Sequence, residues 1–350
     1  MWVVRGLKPT LPSGLWGASR GVAALACLAE ERLSENFGAL IHVPNTSLPA
    51  LRCPDVGREL RGKWLERRLL VIRGLQDMTP DDLVTISSHF GPLGPVPAGR
   101  AHASLGPGAS VLRIGNVRDA AGNLISQPSS SKDEVLGRDG SSQYRPHDRL
   151  PVWHTDGTFK ETPEAGTALF CRQAPPRGGA TCFADAVAAW EALPPEQQQR
   201  LETLDCICSL AHHDAKIRKR NPDYPMLKDE ERCKNPPRRV PLCLEHPETH
   251  RRAIYGINSS TCCIVEKGQD MCPTKLRHYE ESGDEDESVA ILRDLLVHAT
   301  APDFTISWQW QPGDFAICDT RSTMHCATSY DQRFTREMWR TTIMPGLFAS

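Results

Sequence analysis

The chain has 350 residues and a mass of 38.8 kDa, with 39% hydrophobic and 24% charged residues. A chain of this length buries roughly 75% of its unfolded surface, so it needs no disulfide or zinc staple. The composition excludes collagen-like and wholly disordered proteins. The formal net charge of −2 provides no basic field, which argues against a nucleic-acid partner. No run of 18 apolar residues occurs, so the sequence predicts no membrane span.

The cysteines and the N-terminus bear on the compartment. The 13 cysteines include no C-x-x-C pair, which favours reduced, buried thiols and a cytoplasmic protein. Residues 1–29 contain no acidic residue, and organellar leader peptides also avoid acidic residues. Pro9 and Pro12, however, break any early helix. We interpret residues 1–30 as an N-terminal arm. A removable leader, which would place the protein in a mitochondrion or another organelle, is the alternative, and residues 31–350 are predicted to form a single domain.

Short apolar runs bounded by glycine and proline predict many strands. In chain order these runs are 69–72, 111–115, 152–154, 168–170, 181–183, 305–308, 314–317 and 336–344. Helices are predicted after the N-cap residue Thr79 and over 186–193, 195–204 and 284–298. Residues 126–150 are predicted to form a long loop that acts as a lid, and 214–239 and 262–284 are predicted as insertions, the first of them rich in loop.

This pattern predicts a mainly β fold with flanking helices, a sandwich or a jelly roll (a double-stranded β-helix of the cupin kind). A doubly wound α/β sheet would need regular alternation of strands and helices and a glycine-rich phosphate loop. The sequence has neither feature.

Four His-x-Asp/Glu pairs occur in the sequence, and one of them follows an apolar run. His154 and Asp156 come after Pro151, Val152 and Trp153. Residues i and i+2 of a strand face the same side, so this pair could hold one metal ion together. A hydrogen-bonded surface pair is the alternative when these two residues are considered alone.

Further motifs accompany that pair in a fixed order: Gly178–Thr181, Trp310–Asp314, His325, Arg336 and Arg340. With them the sequence resembles the taurine dioxygenase/phenoxyacetate dioxygenase (TauD/TfdA) family of iron(II)- and 2-oxoglutarate-dependent oxygenases. The similarity extends from about Phe37 to Thr342. Two positions, Cys318 and Leu150, depart from the family pattern, so taurine itself is not the expected substrate.

The resemblance implies a role for each matching residue. His154, Asp156 and His325 would bind Fe²⁺ on one face of an octahedron and leave three positions for the cosubstrates 2-oxoglutarate and O₂. Arg336 and Thr181 would bind the far carboxylate of 2-oxoglutarate. Arg340 would bind an anion, either the substrate or the cosubstrate. His102 is a candidate substrate contact, with an ordinary surface residue as the alternative.

The implied reaction is hydroxylation of a small carboxylate or sulfonate, with release of succinate and CO₂ and, where the hydroxylated carbon bears a heteroatom, C–O, C–N or C–S cleavage. One alternative is a hydroxylase of quaternary ammonium compounds of the carnitine-pathway type. Others are a non-catalytic jelly-roll protein that binds metal or 2-oxoglutarate and a metallohydrolase. The sequence leaves homo-oligomer formation open.

Overall fold

A computed structural model describes residues 30–106, 110–127, 153–220 and 227–346. The predictions for residues 1–29 and for nearly all of the 126–150 lid, including Leu150, lie outside the described residues. No helix in the described ranges is long and apolar enough to cross a membrane.

The strands of the first half are short, and β6 is the longest of them. They are β1 Glu30–Arg32, β2 Ala39–His42, β3 Leu69–Arg73, β4 Ser104–Leu105, β5 Val111–Gly115, β6 Gly166–Gln173 and β7 Thr181–Asp185. The strands of the second half are β8 Leu204–Cys208, β9 Arg238–Pro241, β10 Cys243–Glu245, β11 Arg252–Ile254, β12 Thr261–Glu266, β13 Thr305–Trp308, β14 Asp314–Asp319, β15 Thr323–Ala327 and β16 Glu337–Ile343.

The helices lie between these strands along the chain. They are α1 Leu48–Leu51, α2 Pro54–Arg67, α3 Pro80–Ser88, α4 Ala186–Glu191, α5 Pro195–Glu202, α6 Leu210–Arg220, α7 Asp229–Lys234, α8 Pro273–Ser282 and α9 Ala290–Ala299. Short 3₁₀ turns cover Asn45–Ser47, Ala98–Ala103, Glu287–Val289 and Pro302–Phe304.

Two sheets form the centre of the molecule. The larger has eight strands in the order β1-β2-β3-β14-β6-β16-β5-β4, and the smaller has the order β13-β7-β15. Phe183 and Trp308 of the small sheet pack against Val71, Ala316 and Met338 of the large one. This strand-rich pair of sheets with flanking helices is the predicted jelly roll, and the fold class is confirmed.

The opposite face of the large sheet is covered by helices. Alternate residues of β3 and β14, among them Ile72 and Phe315, point away from the small sheet, as the two-residue period of a strand requires. Leu60 of α2 and Leu83 of α3 pack on them, and both side chains are fully buried. Helix α3 begins at the predicted cap, where Thr79 and Asp82 form a reciprocal capping box.

Three local predictions are wrong in detail. The segment 214–239 is largely helical in its described residues, because α6 and α7 are supported by ion pairs at i,i+4 such as Asp214–Arg218. The helix predicted from 284 begins at Ala290, after a 3₁₀ turn that the Asp286 side chain caps. Trp153 and His154 belong to no strand, and His154 forms an isolated bridge instead.

Candidate active site

His154 and His325 are brought together by the backbone. The amide of each residue donates to the carbonyl of the other over 3.0 Å, which forms an isolated antiparallel bridge. His325 lies in β15, which pairs with β7 in the small sheet. The two imidazole centroids are 4.5 Å apart. His154 and His325, which are distant in sequence, therefore lie side by side at the small sheet.

Asp156 completes the cluster from a turn. The chain reverses at Gly157, whose φ of +71° is the left-handed conformation that glycine adopts without strain. Asp156 Oδ1 lies 3.4 Å from His154 Nε2, and Oδ2 lies 3.6 Å from His325 Nε2. The sequence predicts that His154 and Asp156 face the same side of one strand. In the structure His154 forms an isolated bridge and Asp156 lies in the turn that follows it.

The geometry of these three side chains fits a metal ion. One ligand atom from each residue can be chosen so that all lie within 4.8 Å of one another. With metal–ligand bonds of about 2.1 Å, ligands on one octahedral face lie roughly 3 Å apart. Two imidazoles and a carboxylate are also the donor set of non-haem iron(II) sites. The residues present fit the iron that the sequence resemblance implies.

The protonation states of the cluster suit ligation. Burial lowers the pKa of His325 to about 4, so the imidazole is neutral at neutral pH. Burial alone would raise the pKa of Asp156, but the Arg340 guanidinium, His325 and His154 together outweigh it and hold that pKa well below its usual range. A neutral imidazole and an ionised carboxylate are the forms that bind metals.

Arg340 lies beside Asp156 and has two acidic partners. Its Nη2 donates to Asp156 Oδ2 over 3.0 Å and to Glu164 Oε2 over 2.7 Å. These two carboxylates offset the charge of Arg340, so burial of its guanidinium does not by itself require a ligand anion. The anion-binding role of Arg340 stays a prediction.

Arg336 is a buried cation whose surroundings differ from those of Arg340. Its side chain is 3% exposed, and its Nε donates to the Gly179 carbonyl over 3.2 Å. Burial lowers the pKa of Arg336, and the ionisable side chains of Tyr330 and Cys171 oppose that shift. Among the described residues, no carboxylate forms an ion pair with it. A buried guanidinium in this state is suited to receive a carboxylate from a ligand.

Thr181 belongs to the same face of the small sheet as His325. In the register of β7 and β15, His325 pairs with Phe183 and Thr181 pairs with Ala327, so the two side chains lie on one face. The Trp310 indole donates to Thr181 Oγ1 over 2.9 Å, and Thr181 is 2% exposed. Gly179, which contacts Arg336, is two residues away. The structure therefore places Thr181 on the sheet face of His325, and Arg336 at a glycine two residues before Thr181.

Arg336 and Arg340 lie four residues apart in the chain. Strand β16 begins at Glu337, one residue after Arg336, and its register with β6 shifts between Glu337 and Met338. The extra residue of this bulge lies in β6, and β16 pairs with β5 without a shift. The Arg336 side chain is buried beside Gly179, and the partly buried Arg340 lies beside Asp156.

His102 is not brought to the cluster. It lies exposed in the 3₁₀ turn Ala98–Ala103, and no hydrogen bond or ion pair within the described ranges links it to the metal ligands. Sequence reasoning missed two residues that do contact Asp156 or Arg340, namely Thr167 and Glu164.

Comparison with known proteins agrees with this geometry. The family described as "Taurine catabolism dioxygenase TauD, TfdA family" matches residues 30–342. The chain belongs to the TauD/TfdA family. Over 320 residues it is 26% identical to an (S)-phenoxypropionate/alpha-ketoglutarate-dioxygenase of Sphingobium herbicidovorans, a match that covers 89% of this chain and 93% of the relative.

Two other relatives extend the comparison. An alpha-ketoglutarate-dependent 2,4-dichlorophenoxyacetate dioxygenase of Cupriavidus pinatubonensis is 26% identical over 293 residues, with 82% of this chain and 88% of the relative covered. An alpha-ketoglutarate-dependent sulfate ester dioxygenase of Pseudomonas putida is 28% identical over 179 residues, with 51% and 54% covered.

Solved structures show the same fold. The crystal structure of AAD-2 in complex with Mn(II) and N-oxalylglycine has a TM-score of 0.63 and 23% identity, and covers 92% of this chain and 99% of the other. A taurine dioxygenase structure from Burkholderia xenovorans has a TM-score of 0.64 and 23% identity, and covers 92% of both chains.

Membership of the TauD/TfdA family establishes the class of enzyme. The protein is an oxidoreductase, a 2-oxoglutarate-dependent dioxygenase that uses Fe²⁺ and O₂. The non-catalytic and metallohydrolase alternatives are therefore dropped. The resemblance seen in the sequence is confirmed over most of the chain.

Proposed function

We propose that this TauD/TfdA dioxygenase hydroxylates a small organic acid, with His154, Asp156 and His325 as its iron ligands. The observation that carries the proposal is the cluster itself, whose donor atoms lie within 4.8 Å of one another. Iron bound there supplies the oxidative chemistry, in which O₂ and 2-oxoglutarate are consumed, succinate and CO₂ are released and a substrate C–H bond is hydroxylated.

Arg336 and Thr181 are proposed to bind the far carboxylate of 2-oxoglutarate. Arg336 supports this role because it is buried and has no carboxylate partner in the described part of the chain. A guanidinium binds a carboxylate with two parallel hydrogen bonds, which also orients it. The Thr181 hydroxyl accepts from the Trp310 indole, so its own hydrogen remains to be donated to an incoming acceptor.

The substrate is proposed to be a carboxylate, a sulfonate or a related monoanion. The named relatives act on phenoxypropionate, on 2,4-dichlorophenoxyacetate and on sulfate esters, which carry such groups. A quaternary ammonium substrate is the alternative that the experiment must separate.

Succinate formation with Fe²⁺, 2-oxoglutarate and O₂ tests the proposal. The panel contains 2,4-dichlorophenoxyacetate, (S)-2-phenoxypropionate, an alkyl sulfate and an alkyl sulfonate, together with the neutral amides of the two carboxylates. It also contains quaternary ammonium compounds of similar size. We expect substrate-dependent succinate with at least one acid and none with its amide. Stimulation by the quaternary ammonium compounds alone would overturn the anionic assignment.

A variant panel separates the residue roles in the same assay. Asp156→Ala is expected to abolish succinate formation, since it removes a metal ligand. His102→Ala tests the proposed substrate contact, and an unchanged KM for the preferred acid would assign His102 to the surface. His250→Ala serves as the control, because His250 is exposed and distant in sequence from every proposed ligand.

A further inference from the structure

The two oxygens of the Asp156 carboxylate have different environments. Oδ2 accepts two hydrogen bonds, from Thr167 Oγ1 over 2.8 Å and from Arg340 Nη2 over 3.0 Å. Oδ1 is turned toward the His154 imidazole, with 3.4 Å between Oδ1 and Nε2. Oδ2 also lies 3.6 Å from His325 Nε2, but it carries both of these side-chain hydrogen bonds, whereas Oδ1 faces the first histidine.

Arg340 is itself held in place by Glu164. The Glu164 side chain is 3% exposed, its Oε2 accepts from Arg340 Nη2 over 2.7 Å, and its other oxygen pairs with Lys160. The Glu164 backbone is also fixed, because its carbonyl accepts from Thr320 Oγ1 over 2.6 Å. Glu164 thus forms an ion pair with Arg340 and offsets the positive charge of the guanidinium next to Asp156.

We propose that Thr167 and the Glu164–Arg340 ion pair form a carboxylate clamp that presents Asp156 to the metal through Oδ1 alone. This inference rests on the proposed iron site. Thr167 and Glu164 are positioning residues, since they act through Asp156 and Arg340. Arg340 then serves the metal site, whether or not it also contacts a substrate.

The clamp has a chemical purpose. A carboxylate that rotates freely can bind a metal with both oxygens and fill a second coordination position. Two histidines and a one-oxygen carboxylate leave three positions open, and 2-oxoglutarate and O₂ need all three. Hydrogen bonds to the second oxygen remove that freedom, in the way that outer partners of metal ligands commonly tune affinity by 10- to 100-fold.

The charge of Glu164 has a second effect. A guanidinium beside the metal ligand opposes the approach of a divalent cation, and it also competes with the cation for the Asp156 charge. Glu164 offsets that positive charge from the far side of Arg340. Removal of the Glu164 charge should therefore weaken metal binding even though Glu164 is not a metal ligand.

The test is Mn(II) binding by the purified full chain without 2-oxoglutarate, measured by electron paramagnetic resonance of free Mn(II). Thr167→Val removes the hydroxyl at nearly constant volume and is expected to weaken Mn(II) binding about 10- to 100-fold. Thr167→Ser keeps the hydroxyl and should restore affinity to within about threefold. Glu164→Gln is expected to weaken binding about tenfold.

Thr341→Val is the matched control. Thr341 is fully buried and its hydroxyl bonds to Ser87 Oγ over 2.7 Å, so the variant also loses a buried hydrogen bond but does not touch Asp156. Mn(II) affinity in this variant should equal that of the wild type. All variants are compared at a temperature where circular dichroism shows them folded.

The outcomes distinguish the two proposals. If the wild type fails to bind Mn(II), the iron site itself is wrong. If the wild type binds and both Thr167→Val and Glu164→Gln retain its affinity, the clamp is overturned. Should Thr167→Val not fold, Glu164→Gln together with Thr167→Ser decides, because normal affinity in Glu164→Gln also contradicts the inference.

Discussion

Arg336 shows how one buried charge can indicate a ligand. Its guanidinium is buried, hydrogen-bonds a backbone carbonyl, and has no acidic partner in the described ranges. Burial of an ion without a counter-ion is costly, so the arrangement is retained for a group that arrives from outside. A dicarboxylate cosubstrate fits that requirement.

Arg336→Ala should raise the 2-oxoglutarate concentration for half-maximal succinate formation by at least 30-fold. Loss of one partner of a buried charge pair costs about 2–5 kcal/mol, and each 1.4 kcal/mol is a factor of ten. Mn(II) affinity should stay normal, because Arg336 does not contact the proposed ligands. The measurement is initial rate against 2-oxoglutarate concentration at saturating iron.

Arg333→Ala is the control for that experiment. Arg333 lies three residues earlier, its side chain is 83% exposed and it pairs with Asp331 at the surface. Its replacement should leave the half-saturation unchanged. An equal effect in both variants would point to general disruption of the segment and would contradict a specific role for Arg336.

Single residues were predictable where a motif carries them. His154, Asp156 and His325 come together as the resemblance implied, and the roles of Thr181 and Arg336 stay predictions. Thr167 and Glu164 were not predictable, because their contacts with Asp156 and Arg340 arise from tertiary packing. The sequence around a buried glutamate or a strand threonine does not indicate which distant residues it will contact.

Helices and strands were predictable where local signals and burial agree. Helix α3 has a cap, a proline at its first turn and apolar residues at helical spacing, and its observed start at Pro80 matches. The segment 214–239 was missed because its high charge was taken as a mark of loop. In the structure those charges pair across elements, as Lys216 does with Glu285, and tertiary contacts support the helix.

Helix α6 contains a buried histidine that makes stability depend on pH. His212 is fully buried, its Nδ1 hydrogen-bonds the Tyr279 carbonyl over 3.0 Å, and burial lowers its pKa to about 4. Lys216 acts in the same direction and Glu285 opposes it. Below the unfolded-state pKa of about 6.5 the unfolded chain takes up a proton that the folded chain refuses. The free energy of unfolding should therefore fall as pH decreases from 6.5 toward 4.

His212→Gln tests this dependence. Glutamine can still donate to the Tyr279 carbonyl but does not titrate. The loss of unfolding free energy between pH 7 and pH 5 should be smaller in the variant by about 2 kcal/mol, measured by urea denaturation. His213, whose pKa burial also lowers to about 4, remains in both proteins. An identical loss in the two proteins would show that His212 does not titrate as described.

At the scale of the whole molecule, metal binding should stabilise the fold. The proposed ligands come from two distant parts of the chain, and a ligand present at 100 times its Kd adds about 2.7 kcal/mol to the free energy of unfolding. Mn(II) at that excess should raise Tm by several degrees, measured by scanning fluorimetry. His325→Ala should show no rise. A rise of equal size in that variant would locate the binding elsewhere.

The overall architecture was predictable because strand periodicity and turn residues repeat along the chain. The pairing order of the eight-stranded sheet was not, since a strand run does not state its neighbours. Strand β16 pairs with β6 and β5, and this pairing positions Arg340. It depends on how both faces of the sheet pack.

The two backbone hydrogen bonds between His154 and His325 mean that folding itself sets the spacing of the imidazoles. Almost half of the chain lies between these residues. Packing of the two sheets, rather than metal binding, offsets the entropic cost of closing that loop. A metal ion arriving at such a site would find its ligands preorganised, so its binding energy need not be spent on ordering the chain. Affinity can then remain high even though three coordination positions are left to ligands that come and go.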